Sequence, residues 1–271
     1  MTGLAQRAER ALKTFGGRGL RWQLRYKRLF ARPGNTVFLT ALPKSGSTFL
    51  VNALREATGF MPFFLGAHHL NEQDLYLPKL LDAWSMDIVC HQHTRATEPN
   101  LSLMRDFGIR PVVLVRDLCD CAVSLCDHLE TESKTTPVLN VGEDFANLGR
   151  PARLDLVIDL ALPWYVQFVA GWSRQTEVET LWLSYDAVMA DKAGAVTRVL
   201  DFCGIDATTD VGAAVARAAG GDSRFNQGRS GRGRDELTAA QQARIAALAA
   251  HYPTVDFSAV GLPPTRAAAT A

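Results

Sequence analysis

The segment Thr36–Leu50 places a lysine, a glycine and several hydroxyl side chains where they could hold a phosphate group. An apolar, β-prone run leads into the turn Pro43–Thr48, and a helix-like pattern follows. Backbone N–H groups at the start of a helix bind anions, helped by the positive end of the helix dipole. The residues of this predicted phosphate cradle are Lys44, Ser45, Gly46, Ser47 and Thr48. The alternative is an ordinary strand-to-helix turn with a capping serine.

This turn differs from the usual loop that binds nucleoside triphosphates. That loop has the pattern G-x-x-x-x-G-K-[ST], with the lysine directly after the second glycine. Here Lys44 precedes Gly46 by two residues, and no glycine lies in the five positions before the lysine. A lysine ahead of the turn would approach a phosphate group from a different side.

A second β-prone run, 111–115, also ends in a charged turn before a helical pattern. Arg116 follows the run, where a guanidinium could bind a phosphate through two hydrogen bonds. Ser124 comes about two helical turns later and could meet the same anion. Asp117 or Asp120 would cap the helix and orient Arg116. Two such turns on one sheet indicate a nucleotide with phosphates at two separate positions.

Two histidines lie at the end of a third β-prone run, 87–91. The i, i+2 spacing of His91 and His93 puts both side chains on one face of an extended chain. A histidine at a strand end is suited to proton transfer, because its ordinary pKa lies near neutrality. A metal site is one alternative, for which we find no convincing third ligand. A buried structural histidine is the other.

These three turns must be positioned by a common sheet. Short apolar runs separated by amphipathic helices favour an α/β fold, in a single domain with a central, mostly parallel β-sheet flanked by helices. Such sheets bind ligands beyond the carboxyl ends of their strands. The predicted strands are 36–42, 87–91, 111–115 and 180–185, and the predicted helices are 48–58, 72–84, 119–130, 154–174, 192–203 and 238–250.

Length and composition fit a soluble globular protein. The chain has 271 residues, 47% of them hydrophobic, and a formal net charge of +1. No uninterrupted apolar run approaches the ~18 residues of a membrane-spanning helix, and the N-terminus lacks the apolar core of a secretory signal. Five cysteines without a C-x-x-C pair predict reduced thiols in a cytoplasmic protein rather than a disulfide or zinc framework.

We expect a basic N-terminal helical arm (1–33), a domain (34–255) and a flexible C-terminal tail (256–271). Glu9 is the only acid among the many lysines and arginines of the arm. The arm could contact an anionic membrane surface, or it could be a solvated helix packed on the domain. Two polar, glycine-containing stretches, 131–153 and 221–235, are either lids over the site or surface loops.

Several of these features together resemble the sulfotransferase family. They are the turn Pro43–Thr48, Arg116 with Ser124 eight positions later, and Tyr185 followed by Val199–Gly204. These enzymes transfer a sulfuryl group from 3′-phosphoadenosine 5′-phosphosulfate (PAPS) and release 3′-phosphoadenosine 5′-phosphate (PAP). The resemblance spans roughly residues 35 to 250. It implies a fold like that of P-loop nucleotide hydrolases, PAPS as the donor and no metal.

The resemblance also implies a role for each matching residue. The loop 44–48 would hold the 5′-phosphate, and Lys44 would neutralise charge on the bridging oxygen as the sulfuryl group leaves. His93 matches the catalytic histidine, with His91 or a carboxylate as the open alternative. The other nucleotide contacts would be Phe49 stacked on adenine, Tyr185 reaching the adenine, and Arg116 and Ser124 on the 3′-phosphate.

A late element of the family departs from its usual pattern in this chain. The family sequence Arg-Lys-Gly-x-x-Gly appears here as Asn226–Gly231, so both cations are missing. Gln227, Gly228 and Arg229 would still contact the nucleotide. The missing charge would come from one of three arginines, Arg224, Arg229 or Arg232.

The acceptor implied by the resemblance is a hydroxyl or amine of a small molecule, lipid or carbohydrate, with no nucleic-acid partner. The apolar segment 60–65 could line an acceptor pocket or pack in the core. Two other functions stay open. An ATP-dependent small-molecule kinase would share a phosphate loop but need a magnesium ligand, and a non-catalytic relative would bind the nucleotide without turnover.

Overall fold

The computed structural model describes residues 31–68, 71–220 and 230–263. Within these residues the strands are β1 (Thr36–Ala41), β2 (Met61–Pro62), β3 (Ile88–Gln92), β4 (Pro111–Val115) and β5 (Leu181–Ser184). The helices are α1 (Ser47–Thr58), α2 (Leu77–Asp82), α3 (Glu98–Phe107), α4 (Leu118–Thr131), α5 (Arg150–Leu160), α6 (Leu162–Arg174), α7 (Tyr185–Ala190), α8 (Lys192–Cys203), α9 (Val211–Gly220), α10 (Arg232–Glu236) and α11 (Ala239–Ala249). Two 3₁₀ turns, Glu143–Asn147 and Ser258–Val260, complete the described secondary structure.

The strands form one parallel sheet in the order β2-β3-β1-β4-β5. Leu39 in the central strand β1 pairs with His91 of β3 on one side and with Val112 of β4 on the other. At one edge, Pro62 of β2 has no N–H to offer to a further strand. The sheet confirms the predicted α/β fold with helices around a mostly parallel sheet.

Successive strand residues point to opposite faces of the sheet, and both faces are covered by helices. In β1, Phe38 belongs to one buried cluster, while Val37 and Leu39 belong to the other. The first cluster is completed by side chains of α4, α5, α6 and α11, and the second by side chains of α1, α8 and α9. Because both faces are buried, each inner strand is a nearly continuous apolar run.

Most of the predicted elements are present, but two helix predictions were wrong in extent. The predicted helix 154–174 begins earlier, at Arg150, and changes from α5 to α6 at Ala161, because Pro163 in the first turn of α6 has no N–H for the preceding turn. The predicted helix 72–84 is only α2, since Pro78 sits in its first turn and the residues before it are irregular. The helices α3, α7, α9 and α10 and the short strand β2 were not predicted.

The stretch Arg150–Arg174 is, within the described residues, the one helical segment long and apolar enough to cross a membrane. More than half of its apolar window is buried inside the domain. Tyr165, Phe168 and Trp172 of α6 are among the largest fully buried side chains of the protein. We therefore interpret α5 and α6 as core helices.

The packed domain continues past the predicted boundary at residue 255. Phe257 and Val260 are fully buried, and Leu262 is nearly so, within the same cluster as α6. The part of the predicted flexible tail before residue 264 is therefore packed, because its apolar side chains are buried in the core. Residues 1–30 of the predicted basic arm and residues 264–271 of the tail lie outside the described residues.

The strand order creates a crevice at the carboxyl ends of β1 and β4. After β1 the chain continues towards β2 and β3, whereas after β4 it continues towards β5. Neighbouring strands whose connections run in opposite directions leave a gap between their loops, and open α/β sheets bind ligands there. The turn after β1 and Arg116 after β4 both lie at this gap.

Candidate active site

The turn between β1 and α1 is tight and has an unusual backbone. Lys44 has a φ of 66° and is the only non-glycine residue with positive φ in the described part of the chain. Both the N–H and the hydroxyl of Ser45 donate to the carbonyl of Leu42, at 3.2 and 2.6 Å. Non-glycine residues rarely adopt positive φ, and such strain concentrates at functional sites.

The N-terminus of α1 has no side-chain cap. Gly46 is the N-cap residue, with φ 80°, and as a glycine it supplies no capping side chain. Those groups have no partner within the helix itself. Ser47 is buried and Thr48 is exposed. The helix therefore presents backbone donors, rather than a side chain, to the crevice.

Tyr185 packs directly on this turn. A Cβ placed on Gly46 would lie 2.8 Å from the Tyr185 ring, so a side chain at residue 46 cannot fit without displacing the ring. The ring is 3% exposed, and burial raises the pKa of its phenol. Its predicted contact with adenine stays a prediction.

Arg116 connects the two strand ends. Its Nη1 donates to the carbonyl of Lys44 at 3.1 Å, and its guanidinium carbon lies 4.2 Å from the centre of the Tyr185 ring. The guanidinium therefore lies over one aromatic face with one edge against the turn. The structure thus brings together Lys44 and Arg116, which are 72 residues apart in the sequence.

The two acids after Arg116 have separate tasks. Asp117 is the N-cap of α4 and accepts from the N–H groups of Cys119 and Asp120, at 2.8 and 3.1 Å. Asp120 instead forms the ion pair with Arg116, at 3.4 Å. Ser124 is buried on the same helix, and its hydroxyl makes no hydrogen bond with the described residues.

Phe49 lies in the second buried cluster, with 2% of its surface exposed. The ammonium of Lys192 is 5.6 Å from the centre of its ring. A stacked adenine would have to take the place of what now covers that ring. The predicted stacking stays a prediction.

His93 lies beside the phosphate cradle. Its Nδ1 is 2.6 Å from the carbonyl oxygen of Ala41, the last residue of β1, so Nδ1 carries the proton and donates. The other nitrogen, Nε2, faces the carboxylate of Glu72 at 3.5 Å. Burial lowers the pKa of His93, and the Glu72 carboxylate and the Ala41 carbonyl oppose that shift. The imidazole is therefore held in the tautomer whose Nε2 can accept a proton.

Glu72 was missed by the sequence analysis, which placed it in a predicted helix. It lies in an irregular segment whose position is set by buried amides. Gln92 and Thr94 donate to the Glu72 carbonyl at 3.4 and 3.2 Å, and Asn100 donates to the Gln73 carbonyl at 3.0 Å. A polar run directly before the Tyr-Leu-Pro start of α2 was the available signal.

His91 is a poorer candidate for the base than His93. Burial lowers the pKa of His91 to about 3, with the neighbouring His93 adding to the shift. Its Nε2 is buried without a hydrogen-bond partner, and the two imidazole rings meet edge to face at 5.2 Å. The described residues contain no group of three or more His, Cys, Asp or Glu side chains that could hold a metal ion.

The predicted contacts Gln227, Gly228 and Arg229 lie outside the described residues, as does Arg224. Arg232 is described, and its guanidinium pairs with the carboxylate of Asp127 of α4 at 3.0 Å. Gly231, the last residue of the late glycine element, donates its N–H to Asp120 at 3.0 Å.

Comparison with known proteins identifies the family. A family model described as the sulfotransferase domain matches residues 35–219. Mouse sulfotransferase SULT7A1 complexed with PAP is similar in structure, with a TM-score of 0.58 and 16% identity over 81% of this chain and 84% of that one. A retinol dehydratase in complex with androsterone and the inactive cofactor PAP gives a TM-score of 0.51 and 15% identity over 81% and 80% of the two chains. A search of curated proteins finds no match.

The two structural likenesses have low sequence identity, and alone they show a shared fold. The family model is more specific, because it covers more than half of the chain and includes the turn after β1, Arg116, Ser124 and Tyr185. It gives no support to the kinase alternative. The chain therefore belongs to the sulfotransferase family, whose reaction is sulfuryl transfer.

Proposed function

We propose that this chain transfers a sulfuryl group from PAPS to a hydroxyl or amine of a small-molecule acceptor, with His93 as the base and Lys44 on the leaving-group side. The observation that carries the proposal is the contact between His93 Nδ1 and the Ala41 carbonyl. This contact ties the His93 ring to Ala41, which lies two residues before the turn that begins at Pro43.

The residues present fit a nucleotide with phosphates at both the 3′ and 5′ positions. The uncapped N-terminus of α1 offers backbone N–H groups to one phosphate. Arg116 and the hydroxyl of Ser124 offer donors to the other, since a guanidinium has five N–H groups in one plane. The PAP named in the two similar structures agrees with this assignment.

His93 would take the acceptor proton at Nε2. As the acceptor oxygen or nitrogen bonds to sulfur, the bond from sulfur to the bridging phosphate oxygen breaks and negative charge develops on that oxygen. Lys44 and the first-turn amides of α1 would stabilise this charge without having to reorganise. Glu72, 3.5 Å from Nε2, would stabilise the imidazolium formed by proton uptake.

His93→Gln tests the base. We expect turnover to fall by about 10²–10⁴-fold, the usual contribution of a positioned acid or base. The affinity for PAP, measured by calorimetry, should change little, because His93 contacts the acceptor side. His251→Gln, at an exposed histidine, is the matched control. Near-normal transfer of labelled sulfate by His93→Gln would contradict the base assignment, and failure of the wild-type chain to bind PAP would contradict the proposed function itself.

Glu72→Gln distinguishes His93 from Glu72 as the base. If His93 is the base, the acid limb of the pH profile of kcat/KM moves to lower pH, because the Glu72 carboxylate raises the pKa of His93. Turnover should fall by about 10- to 100-fold, as expected for a lost hydrogen bond to a charged group. If Glu72 itself takes the proton, the acid limb disappears together with the activity.

Two segments near Glu72 bear on the class of acceptor. Leu65 of the predicted pocket segment is fully buried in the core, and Phe63 packs against the same cluster. Gln73, next to Glu72, donates to the carbonyl of Pro137, so the loop 131–153 lies against the segment that holds Glu72. We propose that this loop borders the acceptor. Screening phenols, lipid alcohols and glycosides with labelled donor tests which class is sulfated.

A further inference from the structure

Asp120 is a buried carboxylate that joins two parts of the site. Its side chain, in a residue only 3% exposed, accepts from the N–H of Gly231 at 3.0 Å and from the N–H of Gly233 at 2.8 Å. The oxygen that accepts from Gly231 also lies 3.4 Å from Nη2 of Arg116. One carboxylate therefore contacts both Arg116 and the backbone that directly follows residues 221–229.

The orientation of Arg116 depends on both ends of its guanidinium. Nη1 is held by the Lys44 carbonyl and Nη2 by Asp120, while Tyr185 covers one face of the plane. A guanidinium recognises a phosphate through N–H groups in one fixed plane, so the tilt of that plane decides how well it binds. Without the Asp120 charge, Nη2 would lose this partner and the plane would be less firmly held.

The backbone on the other side of Asp120 is fitted closely to α4. A Cβ on Gly233 would lie 2.1 Å from the carbonyl carbon of Cys119, so only glycine permits this approach. Gly231 has a φ of 86°, which points its N–H at the carboxylate. The backbone of Gly231 and Gly233 is thus anchored to the same acid that orients Arg116.

Asp120 does not cap its own helix; it accepts instead from two N–H groups at the start of α10, those of Gly231 and Gly233. Asp117 already caps α4, and the carboxylate of Asp120 bonds no N–H of its own helix among the described residues. Asp127, further along α4, also binds α10, through Arg232. It provides a comparison acid for the same pair of helices.

We propose that Asp120 is a positioning residue that sets the preference for a nucleotide with a 3′-phosphate, by fixing the plane of Arg116 and tying it to the backbone of Gly231 and Gly233. The inference rests on the proposed function, because it assumes that Arg116 binds the 3′-phosphate. Asp120 acts through these two neighbours and need not touch the nucleotide.

The test compares the affinities of PAP and AMP, which differ by the 3′-phosphate, for the wild-type chain, Asp120→Asn and Asp127→Asn. We expect Asp120→Asn to weaken PAP binding by about 10- to 100-fold, as outer-shell carboxylates do at other sites, and to leave AMP binding unchanged. Asp127→Asn should keep the wild-type ratio, although it also loosens α10.

Two outcomes would overturn the inference while the proposed function stands. They are unchanged affinities for both PAP and AMP in Asp120→Asn, and an equal fold loss for both nucleotides, which is what a merely structural role would give. A wild-type chain that binds PAP no better than AMP would overturn the assignment of Arg116 and with it this inference.

A measurement on the wild-type chain covers the case in which Asp120→Asn does not fold. Hydrogen exchange at the amides of Gly231 and Gly233 should slow when PAP binds and should not slow with AMP. Only the 3′-phosphate would hold Arg116 in place, and Asp120 links Arg116 to these two amides. Equal protection by the two nucleotides would overturn the inference.

Discussion

The two strand-to-helix corners of the crevice look alike in sequence and both present the N-terminus of a helix, but only the second has a capping side chain. At the β1–α1 corner the helix begins at Gly46 without a side-chain cap, so its N–H groups face the crevice. At the β4–α4 corner Asp117 caps the helix and satisfies two of those groups. There the cation is Arg116, held between the Lys44 carbonyl and Asp120.

The difference shows two ways of building an anion site from the same strand-turn-helix pattern. The first corner uses backbone donors, which are fixed by the fold and need positive φ at Lys44 and Gly46. The second uses a side chain, which must be oriented by its neighbours. Mutations should therefore act on the first corner through backbone shape and on the second through side-chain contacts.

The largest effect is expected from removing the charge at the first corner. Lys44→Ala should lower turnover by about 10²–10³-fold, the usual cost of losing one group that stabilises charge in the transition state. Lys134→Ala, at a partly exposed lysine that pairs with Glu143, is the control. If Lys44→Ala kept near-normal turnover, the first corner would act through its backbone alone.

A matched pair of glycine substitutions separates backbone strain from the contact with Tyr185. Gly46→Ala and Gly108→Ala both place an alanine at positive φ, 80° and 68°, which costs about 1–2 kcal/mol. A Cβ at Gly108 would meet no atom within 4 Å, whereas one at Gly46 would lie 2.8 Å from the Tyr185 ring. Both variants should lose stability to denaturant, and only Gly46→Ala should also lose PAP affinity. Equal PAP affinity in the two variants would show that the packing of Tyr185 on the turn is unimportant for binding.

The smallest effect is expected at the cap of the second corner. Asp117→Ala should lower the free energy of unfolding by about 1 kcal/mol, whereas Asp117→Asn keeps a capping oxygen and should be nearly neutral at low pH. PAP affinity should be nearly unchanged in both variants, because the cap is not the anion site. A large loss of PAP affinity in Asp117→Asn would contradict this division of tasks between Asp117 and Arg116.

The same pair of variants has a defined pH dependence. Burial raises the pKa of Asp117 in the folded protein, with the nearby Asp120 charge adding to the shift and hydrogen bonds opposing it. The folded state then holds this proton more tightly than the unfolded state, so the contribution of Asp117 to stability falls as pH rises through its raised pKa. Asp117→Asn should remove that fall, which denaturant titrations at several pH values would measure.

The sequence alone allowed the central sheet and much of the crevice to be predicted. The strands β1 and β4 are short apolar runs bounded by charged turns, and α4 and α8 have strong apolar faces, so local pattern and final structure agree. The helices α7 and α9 were missed because one has only six residues and the other is rich in alanine and glycine.

Residue types and their order were enough to predict a phosphate cradle, a following arginine and a histidine at three strand ends. Only the tertiary structure decided which acids serve them. Glu72 reaches His93 because buried amides of Gln92 and Asn100 hold an irregular segment in place. Asp120, one helical turn after Arg116, also accepts from the backbone of Gly231 and Gly233. The contacts of Glu72 and of these two glycines join residues distant in sequence, and no local pattern of side chains encodes them.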